Sequence, residues 1–271
     1  MSKLIVLDLD GTLLNNESKV SDYSKKCLNY YESQGHMVVL ASQKNYGEMN
    51  SLHKELGLTS PIICEGGSEL YFYSDTQKDI VMSIDLNTLL DIFKENNDYI
   101  LSAFYHYKTN LFIHKRLDIL TPLYGITSNT IIHSNDFLNM DLIYPNMIFM
   151  VIDKAHDDTF LNNMKKYSDY IELTTLGKDQ THALYYMNIK NVNKAYATLE
   201  LMMHTNHTMK DLIAVGDSVK DVNLLKLPCD SCAMINGEDE AKSVAKYISE
   251  FDNNHDGAVK FVNKVLSIEV E

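Results

Sequence analysis

Leu4-Ile5-Val6-Leu7-Asp8-Leu9-Asp10-Gly11-Thr12 is the stretch that decides the fold. An apolar run with no polar alternation reads as a strand buried on both faces, as in parallel sheets covered by helices. Asp8 then stands at the strand's C-terminal end, where open α/β sheets take their ligands. Gly11 lets the chain turn sharply, so that Asp10 can swing over the same site. A carboxylate can attack phosphorus as a nucleophile. A second one nearby can protonate a leaving group and later activate water. The plainer reading, a turn with a capping aspartate, accounts for one acid but not for the pair directly after a buried strand.

Outward from this segment the rhythm repeats. A helix over 22–34 is capped by Ser21 or Asp22 and ends before Gly35. A strand over 37–41, a helix over 45–56 closed by Gly57, and a strand over 61–64 follow. The β-α-β-α-β order predicts a parallel sheet with helices on both faces. Beyond Gly67 the pattern changes to a hairpin (69–73 and 79–83), a helix over 85–97, and strand-like pieces at 99–107, 110–114, 147–152, 170–174 and 183–187. One helix, over 157–167, lies among them. From Asn193 the α/β rhythm returns, with a helix to 204 and strands over 211–215 and 232–235. Helices are expected over 220–225, 238–245 and 256–266. The fold class is therefore α/β: a Rossmann-like parallel-sheet core of residues 1–81 plus 190–271, with an α+β domain inserted at 82–189.

The second cluster of chemistry is Gly216-Asp217-Ser218-Val219-Lys220-Asp221, again directly after a buried strand. Two acids four residues apart straddle a strand-to-helix turn. Mg²⁺ prefers oxygen ligands and usually takes one or two carboxylates, waters and substrate phosphate. Asp8 with Asp217 meets that need. Ser42, after the second strand, offers a hydroxyl and a backbone N–H to a phosphate oxygen. Lys194, at the start of a helix, can offset charge on a phosphoryl group and hold Asp8 ionised. Taken singly, Ser42 reads as a helix cap and Lys194 as a solvated lysine.

Composition narrows the rest. Net charge is −13, from 24 basic and 37 acidic residues. This disfavours nucleic acid, which needs clustered Lys and Arg. A phosphate site here must rest on local lysines, backbone N–H groups and a metal. No apolar run is long enough to cross a bilayer, and the first residues lack a signal-peptide layout, so a cytoplasmic protein is expected. Cys229-Asp-Ser-Cys232 is a lone CxxC without further zinc ligands and reads as structural or incidental.

The order DxDGT, Ser, Lys, GDxxxD resembles the haloacid dehalogenase superfamily, and the insertion between Ser42 and Lys194 is similar to the cap of its Cof-type sugar-phosphate phosphatases. The resemblance implies a phosphatase of small phosphorylated metabolites working through an aspartyl-phosphate. Asp8 would be the nucleophile and Asp10 the general acid/base. Ser42, Lys194 and Gly11 would bind the phosphoryl group. Mg²⁺ would be held by Asp8, the Asp10 carbonyl and Asp217, with Asp221 in support. The cap would exclude bulk water and meet the organic part of the substrate.

The chain also departs from the family pattern. Ala41-Ser42-Gln43-Lys44 replaces the usual Ala-Thr-Gly-Arg, and Lys44 keeps charge without bidentate geometry. Gly66-Gly67-Ser68 stands for Asn-Gly-Ala, Lys194-Ala195 for Lys-Gly, and Lys220 for an asparagine. Lys44 and Lys220 are candidates for an extra anion site. The departures also motivate a rival reading, a catalytically weak ligand sensor or partner-binding module on the same fold.

Overall fold

The computed structural model describes residues 2–270. Strand β1 (Leu4–Leu7) is fully buried, as its unbroken apolar run requires, and each such side chain contributes roughly 1.5–3 kcal/mol. Helix α1 (Asp22–Ser33) starts at Ser21, whose hydroxyl accepts the Ser24 N–H at 2.9 Å. Then come β2 (Met37–Ala41), α2 (Tyr46–Leu56), β3 (Ile62–Cys64), β4 (Glu69–Tyr71) and β5 (Ile80–Val81). They are followed by α3 (Leu86–Asn96), β6 (Ile100–Tyr107), β7 (Asn110–His114), β8 (Ile131–Ser134), β9 (Ile148–Asp153), α4 (Asp157–Met164), β10 (Ile171–Lys178) and β11 (His182–Ile189). The chain closes with α5 (Lys194–Thr205), β12 (Leu212–Gly216), α6 (Val222–Leu225), β13 (Asp230–Ala233), α7 (Asp239–Val244), β14 (Tyr247–Ile248) and α8 (Gly257–Leu266).

Two compact units emerge. One holds the residues up to Gln43, Met49–Ile80, and the chain from Asn193 onward. The other holds Lys44–Glu48 and Val81–Val192. The first unit carries a sheet in the order β14-β13-β12-β1-β2-β3-β4-β5. The strands from β14 to β3 run parallel, and β4 turns back antiparallel on β3. β1 lies between β12 and β2, with Leu7 level with Val215 and with Leu40. On one face Ala197, Leu201 and Met202 of α5 pack on Leu4, Val6, Val39 and Leu212. Elsewhere in this unit α1 is tied to α8, where the Tyr31 hydroxyl donates to Asn263 Oδ1 at 2.7 Å. The expected parallel-sheet α/β core is thus present.

The second unit has a six-stranded sheet, β10-β11-β9-β6-β7-β8, antiparallel except for β7 with β8. Ile148, Met150 and Ile152 of β9 enter the core under α3 and α4, while Phe149 and Val151 face a second cluster around Tyr124. A strand buried on both faces explains why 147–152 shows no polar alternation.

Several elements differ from expectation: β10 runs on to Lys178, β5 is only Ile80–Val81, and α4 ends at Met164. β8 and β14 carry exposed isoleucines, Ile131, Ile132 and Ile248, at sheet edges and leave little pattern in the sequence. The strand expected at 232–235 begins at Asp230, because pairing with β12 sets Asp230 level with Ile213. Cys229 and Cys232 are buried and free, with burial pushing both thiols up to about 12. No helix among the described residues is long and apolar enough to cross a membrane.

Candidate active site

Asp8 is the first residue past β1, and its N–H donates to the Val215 carbonyl at 3.0 Å. The sheet therefore delivers the carboxylate to the carboxyl end of its central strands. Asp8 is buried, at 6 % exposure, so its charge must be answered nearby. Lys194 answers it: Nζ lies 2.5 Å from Asp8 Oδ1 and 2.7 Å from Asp221 Oδ1.

Lys194 is the first residue of α5, where the helix dipole disfavours a cation. It is nevertheless buried, at 3 % exposure, held by two carboxylates. Asn193 caps the helix by accepting the Tyr196 N–H at 3.1 Å. The loop after β3 passes so close beneath that a Cβ on Gly67 would stand 2.2 Å from the Asn193 carbonyl and 2.8 Å from the Lys194 nitrogen. With φ at +111°, Gly67 is the residue that lets Lys194 start there.

Asp221 acts as an organiser. Its Oδ2 accepts the N–H groups of Asp217 and Ser218, each at 3.1 Å, and the Ser218 hydroxyl at 3.2 Å. Oδ1 takes Lys194. The turn after β12 is thereby locked, with Asp217 projecting beside Asp8. Thr12 donates its hydroxyl to Asp217 Oδ1 at 3.3 Å. Gly11, at φ +79°, lies so close that a Cβ would stand 2.3 Å from Asp217 Oδ2. The carbonyl of Gly11 accepts the Asn236 side chain at 2.8 Å.

The electrostatics follow from this packing. Burial pushes the Asp8 carboxyl up, and Asp221 and Asp217 add to the rise against the pull of Lys194. Asp217 is raised by burial and by Asp221. For Lys194, burial alone would lower the ammonium, but Asp8 and Asp221 outweigh it and the net direction is up. Three carboxylates thus share one buried ammonium. Ligand atoms of Asp8, Asp217 and Asp221 all lie within 4.8 Å of one another, the one such group among the described residues. Hard oxygen donors with uncompensated negative charge suit a divalent cation. Since Asp221 has both oxygens engaged, Asp8 and Asp217 are the carboxylates that fit such an ion.

The other expected residues are placed as follows. Asp10 is exposed on the Gly11 turn. Ser42 is buried, but its N–H donates to the Ile63 carbonyl at 3.0 Å because β2–β3 pairing runs on past Ala41. Of the two groups expected to meet phosphate, the N–H is therefore taken up by the sheet. Lys220 Nζ lies 2.6 Å from Gln43 Oε1 in the first unit, whereas Lys44 belongs to the second. Thr12, Gln43, Gly67 and Asn236 do not stand out in the sequence as site residues. Thr12, Gln43 and Gly67 sit inside motif segments without being singled out there; Asn236 carries no spacing that marks it.

Known proteins share the fold and the length of this chain. A family model described as haloacid dehalogenase-like hydrolase matches residues 5–262. A relative from Mycoplasma genitalium is 26% identical, covering 98% of this chain and 99% of its own. The 5-amino-6-(5-phospho-D-ribitylamino)uracil phosphatase YcsE of Bacillus subtilis is 24% identical, over 96% and 94%. A solved haloacid dehalogenase-like hydrolase from Bacteroides thetaiotaomicron superposes with a TM-score of 0.79 at 21% identity, covering 98% of this chain and 100% of that one. Matched along nearly its whole length, this chain belongs to the haloacid dehalogenase-like hydrolase family.

Proposed function

We propose that the protein is a Mg²⁺-dependent phosphatase of small phosphate monoesters, sugar or polyol phosphates foremost, acting through an aspartyl-phosphate on Asp8. The observation that carries this reading is the buried Asp8–Lys194–Asp221 chain with Asp217 alongside. A nucleophilic carboxylate fixed by an ammonium at the mouth of a parallel sheet suits attack on phosphorus. Relatives of the same length named as phosphatases support it, one of them acting on a phosphorylated ribityl compound.

In the first step an Asp8 oxygen bonds to phosphorus as the ester P–O bond breaks, and Asp10 delivers a proton to the departing alcohol. In the second, Asp10 takes a proton from water as that water attacks the phosphorus of the aspartyl-phosphate, releasing inorganic phosphate and restoring Asp8. Lys194 offsets charge on the phosphoryl oxygens and Ser42 offers its hydroxyl to one of them. Asp8 and Asp217, with the Asp10 carbonyl, would hold Mg²⁺, which supplies further charge neutralisation for the phosphoryl group. Asp10 ends the first step deprotonated, as the second step requires, and its exposure leaves room for the alcohol to depart and a water to approach.

The test is turnover of a panel of sugar, polyol, nucleotide and cofactor phosphates, with Mg²⁺ and with chelator. Hydrolysis that requires Mg²⁺ and disappears in Asp8→Asn is expected. Undiminished hydrolysis by Asp8→Asn would overturn the assignment.

A further inference from the structure

We propose that Lys220, oriented by Gln43, is a second cationic contact for the phosphoryl group. The inference rests on the phosphatase reading of this site and deepens it. Its basis is where the pair sits. Leu7 is level with Leu40 of β2 on one side and with Val215 of β12 on the other. Gln43 lies two residues past the end of β2, and Lys220 lies four residues past the end of β12. Neighbouring strands are about 4.8 Å apart, so a direct bond between these two loops spans roughly 10 Å across β1. The 2.6 Å contact from Lys220 Nζ to Gln43 Oε1 is that bond, and it joins the two loops that flank the strand leading to Asp8.

The chemistry of this bond points to an anion. Gln43 presents a neutral amide oxygen, which fixes the ammonium's direction, while Asp221 and Glu238 favour its charged form. Lys220 is half-buried on the same turn as Asp221, which binds Lys194. The site holds three carboxylates to one buried ammonium, in a chain of net charge −13. With a divalent cation on Asp8 and Asp217 and the ammonium of Lys194, three carboxylates are about balanced, so an entering phosphate dianion brings charge that these groups do not offset. A second ammonium beside the site offsets that charge and gives a phosphoryl oxygen a further donor. The sequence alone suggests pairing Lys220 with Lys44; the contact instead joins Lys220 to the residue beside Ser42.

The test is calorimetric titration of the full-length protein with inorganic phosphate in Mg²⁺ buffer, alongside thermal melting. Lys220→Met is expected to weaken phosphate binding about tenfold or more, since a hydrogen bond to a charged group is lost. Lys220→Arg should stay within about threefold, because charge and donors remain. Gln43→Leu breaks the bond between the loops but keeps the ammonium, so it too should stay within about threefold. Equal weakening by Lys220→Met and Gln43→Leu would mean that the bond is a mechanical brace and would overturn the proposal. So would unchanged phosphate binding in Lys220→Met, or no phosphate binding by the unaltered protein. The readout needs no turnover. If no ester is hydrolysed yet Lys220→Met loses phosphate, the anion contact stands and the phosphatase reading falls; the converse separates them equally.

Discussion

Asp221 holds Lys194 at 2.7 Å with one carboxylate oxygen and, with the other, takes the N–H groups of Asp217 and Ser218 at 3.1 Å each. One fully buried side chain therefore fixes both the ammonium that faces Asp8 and the loop that presents Asp217. Asp221→Asn keeps the shape but loses the charge, and it turns an NH₂ group towards either the lysine or the two N–H donors. Breaking a buried pair of this kind costs about 3 kcal/mol. Losing an outer partner of a metal and nucleophile pair costs about 10–100-fold in activity. Denaturant unfolding and turnover should both fall by these amounts. Activity within twofold of the unaltered protein would remove Asp221 from its organising role.

Gly11→Ala tests how tightly the first motif is packed on the second. The new Cβ would stand 2.3 Å from Asp217 Oδ2, at a φ of +79° that an alanine adopts with strain. Asp217 must move, so the defect should fall on the metal before the fold. The Mg²⁺ concentration giving half-maximal activity is expected to rise about tenfold or more. A variant with a lowered melting temperature and an unchanged Mg²⁺ requirement would show that the close approach serves stability alone.

The core and its acids are legible in the chain because the responsible signals are local. β1, β2 and β12 are unbroken apolar runs, and a candidate site residue follows each of them closely, Asp8, Ser42 and Asp217 in turn. Lys194 is legible from its place before a helix, but its burial is not, since that depends on Gly67 from a loop far away in sequence. The Ser42 N–H is misread because sheet pairing past Ala41 is a property of β3, not of the Ser42 segment. Asn236 and Gly11 are 225 residues apart, and Lys220 and Gln43 are 177 apart. Neither pair leaves a periodic trace. β8 and β14 are obscure for the opposite reason: exposed edges need no apolar pattern.

Asn236 provides a test of a positioning residue outside the motifs. Its amide nitrogen donates to the Gly11 carbonyl, while its oxygen accepts the Asn253 N–H at 3.1 Å. It joins the turn bearing Asp10 to the segment before α8. The side chain is exposed, so Asn236→Ala should cost only about 1 kcal/mol of stability. Its effect should be on proton transfer, with kcat falling several-fold and KM unchanged, because the Asp10 turn loses a tether rather than a substrate contact. A change confined to KM would place Asn236 in substrate binding instead.

The second unit should respond to acid through His106. This residue of β6 is buried, and its Nε2–H meets the Tyr124 carbonyl at 2.8 Å. Burial holds the imidazole down at about 4, from an ordinary value of 6.5. Between those values the unfolded chain binds a proton that the folded chain refuses, so stability must rise with pH across that window. The contribution is complete above pH 6.5 and is lost as pH falls towards 4, in total roughly 3 kcal/mol. His114 is depressed by burial to about 4 as well and titrates in the same range, so the comparison must isolate His106. His106→Gln retains a nitrogen donor and cannot take up the proton. Urea unfolding at pH 7 and pH 5 should show the unaltered protein losing about 2 kcal/mol more than His106→Gln. Parallel losses in the two proteins would mean that His106 finds its proton in the folded state, against the direction its burial sets.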